Sequence, residues 1–132
     1  MAKINIIVGI GTDIIKIARF EEMTDHFMAR VFTSNERAYI LKKGHISAAG
    51  IFAAKEAVVK ALGTGFRGFW PSDVEITHDD LGKPHVILHG GAARVAHKMI
   101  IGKHRFKRKC VIQLSISHTE TDAIAFAVVF AK

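Results

Sequence analysis

Two acidic residues with lysines close by are the groups in this chain most suited to chemistry. Asp13 closes the segment Gly9-Ile10-Gly11-Thr12-Asp13, directly after the mostly apolar run Ile4 to Val8. Glu56 lies inside Phe52-Ala53-Ala54-Lys55-Glu56-Ala57-Val58-Val59-Lys60. A Lys-Glu-x-x-x-Lys cluster in an alanine-rich helix is costly to bury unless something compensates the charge. Two carboxylates with lysines nearby suit a hard divalent cation and the phosphates it would bridge. That combination points to phosphoryl chemistry. Each residue also has a plain structural reading. Asp13 after a glycine turn is a good helix cap. Glu56 and Lys60 are spaced as an exposed i,i+4 pair of about 0.3–0.5 kcal/mol. Lys55 alone reads as a snorkelling or surface residue, and His118 alone as a structural histidine.

The elements that must position these groups follow from pattern and punctuation. Ile4 to Ile10 is apolar apart from Asn5, as in a strand buried on both faces. A helical stretch is expected just after Asp13, through Arg19 to about His26. Thr33-Ser34-Asn35-Glu36 is a capping box that opens a short helix ending near Lys43, with Gly44 as the stop. The helix from about Ile46 to Leu62 is slim, carrying Ala48, Ala49, Gly50, Ala53, Ala54, Ala57 and Ala61. Its spacing places Ala49, Ala53, Glu56 and Lys60 on one stripe, and Phe52, Lys55, Val59 and Leu62 on another. Gly63-Thr64-Gly65 ends it. Val74 to Thr77 and His85 to Leu88 form a hairpin around Asp79-Asp80-Leu81-Gly82-Lys83-Pro84. Gly90 and Gly91 lead into a helix from about Ala92 to Ile101, followed by a basic loop from Lys103 to Lys109. Ile112, Leu114 and Ile116 alternate with polar residues as in a half-buried strand. Thr119 to Asp122 turns the chain into a last strand, Ala123 to Phe130. Strands and helices mixed in this order indicate α+β.

The chain has 132 residues, nearly half of them apolar, which suits one compact domain. No apolar run reaches the roughly 18 residues of a membrane span. Ile4 to Ile10 lacks the flanks of a signal peptide and reads as a strand. One cysteine, Cys110, fits a reducing cytoplasm and sits in an apolar run as a buried thiol. A net charge of +7 favours an anionic partner. His85 and His89 are four apart in a strand, on one face, with no accompanying zinc-spaced set, so they read as surface residues. The Lys103 to Lys109 loop carries Phe106, an aromatic-and-basic pairing that leaves a small nucleic-acid-binding module as the alternative function.

Three ordered blocks resemble the holo-acyl-carrier-protein synthase family of 4′-phosphopantetheinyl transferases. They are Gly9-Ile10-Gly11-Thr12-Asp13-Ile14 with Ile17 and Arg19, then Phe52-Ala53-Ala54-Lys55-Glu56-Ala57 through Lys60 and Gly63-Thr64-Gly65, then Ser115-Ile116-Ser117-His118. Phe32-Thr33 with Glu36, and Gly82-Lys83-Pro84, are weaker echoes. The resemblance implies a small single domain of mainly antiparallel strands packed with helices. It implies transfer of phosphopantetheine from coenzyme A to a serine of apo acyl carrier protein, with release of 3′,5′-ADP, in support of fatty acid biosynthesis. It also implies a cytoplasmic, Mg²⁺-dependent homotrimer with active sites at subunit interfaces, and neither a membrane nor a nucleic acid as partner.

By the same resemblance, Asp13 and Glu56 are the metal ligands. Glu56, Lys60 and His118 are catalytic, and Lys60, Gly63, Gly65 and His118 bind the coenzyme. Arg19, with Lys16 nearby, offers the basic face for the carrier. Activation of the attacking serine falls to Glu56 or to a water at the metal. Many relatives carry arginine immediately before the aromatic of the second block, where this chain has Ile51. A basic contact to the coenzyme, expected at its 3′-phosphate, then passes to Lys42, Lys43 or His45.

Overall fold

The computed structural model describes residues 5–103 and 108–132. Its largest sheet is antiparallel, in the order β1-β5-β4, from β1 (Ile6–Lys16), β5 (Asp122–Ala131) and β4 (Cys110–His118). β2 (Val74–His78) and β3 (Pro84–Leu88) form the separate hairpin expected from the Gly82 turn. Among the described residues, four helices accompany them: α1 (Asp25–Val31), α2 (Ser34–Lys43), α3 (His45–Leu62) and α4 (Gly90–Lys103). The fold is α+β, as the order of elements predicts.

β1 departs from the sequence reading. It continues through Asp13 to Lys16, pairing with β5 from Ile6↔Ala131 to Lys16↔Asp122, with an irregularity between Ile7 and Gly9. The helix expected from just after Asp13 through Arg19 to about His26 is replaced by the end of β1, a 3-10 turn at Ile17–Phe20 and α1, which Thr24 caps by accepting from the Phe27 N–H. Asp13 is therefore a mid-strand residue rather than a helix cap. The strand is also not buried on both faces. Ile7, Ile10 and Ile14 point outward, Ile14 being 67% exposed, because no element among the described residues covers that side.

The inner face of the sheet is built for close approach. β5 presents Ala123, Ala125, Ala127, Val129 and Ala131, all buried. α3 lies across this face on its own small residues, which is why it is buried on most sides and not a one-faced amphipathic helix. At Gly11 an added Cβ would stand 1.9 Å from the Ala57 carbonyl oxygen, and at Gly9 one would stand 2.0 Å from that of Ala61. Gly9 and Gly11 thus let strand and helix backbones touch.

α2 begins as read. The Thr33 side chain accepts from the Glu36 N–H at 3.2 Å, and Glu36 Oε1 accepts from the Thr33 N–H at 2.8 Å. Gly44, at φ +95°, stops it. The expected basic loop falls largely on residues 104–107, outside the described residues. No helix among the described residues is long and apolar enough to cross a membrane.

Candidate active site at the β1–α3 seam

Alternation along β1 turns Gly11, Asp13 and Ile15 toward α3. Glu56 and Lys60 share the α3 stripe that faces them. Lys60 Nζ lies 3.1 Å from Asp13 Oδ1 and donates to the Thr12 carbonyl at 3.0 Å. Glu56 is half-buried, and burial pushes its carboxyl above the usual range. The Asp13 carboxylate pushes the same way, while Lys60 and Arg19 oppose the shift. Asp13, Lys60 and Arg19 therefore all act on Glu56, and a cation between the two carboxylates would relieve their repulsion.

Gly63 closes α3 in the left-handed region at φ +82°, and its N–H bonds back to the Val59 and Lys60 carbonyls. Gly65 also has positive φ, +62°, and both glycines are exposed beyond the Lys60 turn. A Cβ at either position would strain the backbone. The Lys60 side chain, one turn before this end, is 54% exposed.

His118 does not join this cluster within one chain. It ends β4, and β5 stands between β4 and β1. Strands two steps apart are about 10 Å apart. His118 instead lines a 440 Å³ cavity on the other side of α3, with Lys43, Ser47, Gly50, Ile51 and His78 among its neighbours. Of the three bases considered for the place of the missing arginine, Lys43 lines this cavity beside Ile51, and Lys42 and His45 do not. His78 stacks on Tyr39 at the cavity, with ring centroids 4.1 Å apart and planes within 2°. Burial holds the His78 imidazole below its ordinary pKa.

Lys55 overturns its surface reading. Its side chain is 1% exposed and pairs with Glu36 Oε1 at 2.8 Å. Burial lowers its pKa, an effect that Glu36 opposes. The two other histidines do not share one strand face. His85 pairs with Asp79, while His89 lies just past β3 and contacts Glu75 Oε1 at 3.1 Å. Cys110 is half-buried, and burial pushes its thiol up, consistent with a packing role.

An α+β fold in which a carboxylate pair and a lysine meet at a strand–helix seam defines a candidate phosphate-transfer enzyme. Residues 9–115 match the model of the 4′-phosphopantetheinyl transferase superfamily, and the chain belongs to that superfamily. It is 44% identical over 127 residues to a holo-[acyl-carrier-protein] synthase of Clostridium perfringens, covering 92% of each chain. To the synthase of Clostridium acetobutylicum it is 48% identical, covering 91% of this chain and 94% of the relative. Among solved structures it is similar to a holo-(acyl-carrier-protein) synthase of Bacillus anthracis in complex with CoA (3′,5′-ADP). There the TM-score is 0.74 at 38% identity, covering 96% of this chain and 98% of the other. It is also similar to a Plasmodium yoelii acyl carrier protein synthase with ADP bound, at a TM-score of 0.82 and 31% identity, covering 98% and 99%.

Proposed function

We propose that the protein transfers the 4′-phosphopantetheine arm of coenzyme A to a serine of apo acyl carrier protein, in support of fatty acid biosynthesis. The serine hydroxyl oxygen forms the new P–O bond, the bond to the departing 3′,5′-ADP breaks, and the hydroxyl proton passes to the Glu56 carboxylate or to water. The observation that carries this reading is the meeting of Asp13, Glu56 and Lys60 at one seam of a chain in this superfamily. Phosphoryl transfer asks a protein chiefly for positioning and charge neutralisation.

The donor set fits Mg²⁺. Asp13 and Glu56 supply two carboxylates, and no cluster of three or more His, Cys, Asp or Glu suited to a metal occurs among the described residues. Mg²⁺ characteristically takes one or two carboxylates with substrate phosphates and waters, whereas zinc or calcium cages use more protein ligands. When bound, it would neutralise charge building on the pyrophosphate. Lys60 holds a phosphate oxygen as a point charge. Gly63 and Gly65 let the coenzyme lie against backbone. Lys43 and His118 receive its 3′-phosphate in the cavity beside Ile51. Arg19, exposed beside this seam, meets the acidic carrier.

Two observations support a homotrimer with sites between subunits. The outer face of β1 and β5 exposes Ile7, Ile10, Ile14, Ile124 and Phe126, a surface suited to another copy. The Asp13 and His118 halves of the site lie on opposite edges of one sheet, so a neighbour's opposite edge would complete each site. The lone half-buried Cys110 accords with a reducing cytoplasm. The nucleic-acid alternative has no support among the relatives.

Intact-mass measurement of apo carrier incubated with coenzyme A, Mg²⁺ and the protein tests the reading. The expected result is a gain of one phosphopantetheine, lost with EDTA and with Glu56→Ala. No gain on several folded carriers would refute it.

A further inference from the structure

Lys55 takes no part in the chemistry above, yet it is among the most deeply buried side chains of the molecule. Each of its three ammonium hydrogens has an acceptor within reach. These are Glu36 Oε1 at 2.8 Å, the Val74 carbonyl at 2.6 Å and the Pro71 carbonyl at 3.0 Å. An apolar side chain would fill the same space without the several kcal/mol that desolvating an ammonium costs. What it would lack is direction. The acceptors sit on the first turn of α2, on the turn before β2, and on β2 itself. Together they pin one point of α3 from three sides.

Glu56 is the next residue. The opposite side of α3 rests on Gly9 and Gly11, a backbone contact that sets how closely helix and strand approach. A rotation of about 20° would swing a carboxylate about 6 Å from the helix axis by about 2 Å. Misplacement on the order of 1 Å costs about 100-fold in well-oriented reactions.

We propose that Lys55 is the positioning residue for Glu56: by anchoring α3 to α2 and β2, it sets the rotation at which the Glu56 carboxylate faces Asp13. The proposal rests on the transferase reading of the β1–α3 seam. It makes the buried pair Lys55–Glu36 a determinant of turnover and of metal affinity, beyond its effect on folding.

Lys55→Met removes the ammonium at nearly constant volume. Glu36→Gln is the milder variant, keeping an amide oxygen for the α2 cap. Both are studied where the wild type is fully folded, with circular dichroism to establish that they fold. Turnover is read with coenzyme A and apo carrier, and metal affinity by electron paramagnetic resonance with Mn²⁺ alone. In folded Lys55→Met, kcat falls about 10- to 100-fold while KM for both substrates stays within about threefold, and the Mn²⁺ dissociation constant rises about fivefold. Glu36→Gln moves the same quantities in the same direction by less. A folded Lys55→Met with wild-type kcat and Mn²⁺ affinity overturns the proposal. So does failure of both variants to fold, which would make Lys55 a stability residue only. If the wild type transfers nothing and Glu56→Ala binds Mn²⁺ as the wild type does, the reading of the seam falls as well. An inert Lys55 substitution beside an active wild type removes the positioning role alone.

Discussion

Gly11 faces Ala57 so closely that a methyl group on the glycine would lie 1.9 Å from the alanine's carbonyl oxygen. The obstruction is backbone, so no side-chain rotation relieves it. Asp13 is two residues from one partner and Glu56 adjoins the other. The separation of the two carboxylates therefore depends on this contact.

Gly11→Ala must push α3 off the sheet. We expect a loss of about 3 kcal/mol or more, at the upper end of overpacking costs, measured by urea denaturation. Gly102→Ala is the control. Among the described residues, nothing beyond its own helix lies within 4 Å of a Cβ there, and a helical Gly-to-Ala change gains up to about 1 kcal/mol. Equal stability of Gly11→Ala and the wild type would mean that the strand–helix contact is looser than described.

Lys60 pairs with Asp13 at the surface, so its worth to folding is small. Lys60→Ala should change unfolding free energy by less than about 1 kcal/mol. Loss of a charge clamp on a phosphate should lower kcat/KM by at least about 10-fold. A variant that lost stability and kept its activity would assign Lys60 to structure.

Lys43 lines the cavity beside Ile51. Lys43→Ala should reduce the preference for coenzyme A over its 3′-dephospho form by about 10-fold, the worth of one charged hydrogen bond. Lys42→Ala should leave that preference unchanged. If neither variant alters it, the 3′-phosphate is held elsewhere.

His78 gives stability a pH dependence of known sign. Burial lowers its folded pKa from 6.5, so the unfolded chain takes up a proton first. The contribution is fully present above about pH 6.5 and is lost as pH falls toward the folded value. His78→Phe keeps a ring against Tyr39 and removes the titration. Between about pH 8 and about pH 5.5, the wild type should lose stability relative to this variant. Parallel profiles would show that His78 does not titrate differently on folding.

Elements whose determinants lie close in sequence were legible. The Thr33–Glu36 box needs only its own turn, and α3 is bounded by Gly44 and Gly63. β1 was misread beyond Ile10, because Ile14, Ile15 and Ile17 also suit one face of a helix. Pairing with β5, more than 100 residues away, decides for the strand. The carboxylate pair was legible by residue type and resemblance. The burial of Lys55 was not, since Glu36, Pro71 and Val74 lie 16 to 19 positions away. Nor could spacing reveal that His118 stands across the sheet, which follows only from the strand order.

Glu36 holds three parts of the molecule with one carboxylate. Its oxygens accept from the Thr33 N–H and the Ile76 N–H, each at 2.8 Å, and one of them faces Lys55. Helix α2 can close its own cap, but the Glu36 carboxylate is buried only once α3 and β2 have docked, and neither can leave without uncovering a buried charge. Opening should be all-or-none across these three elements. The amides of Thr33 and Ile76, far apart along the chain, should exchange with solvent deuterium at a shared rate, that of global unfolding. Unequal rates would show that the carboxylate does not bind these elements into one cooperative unit.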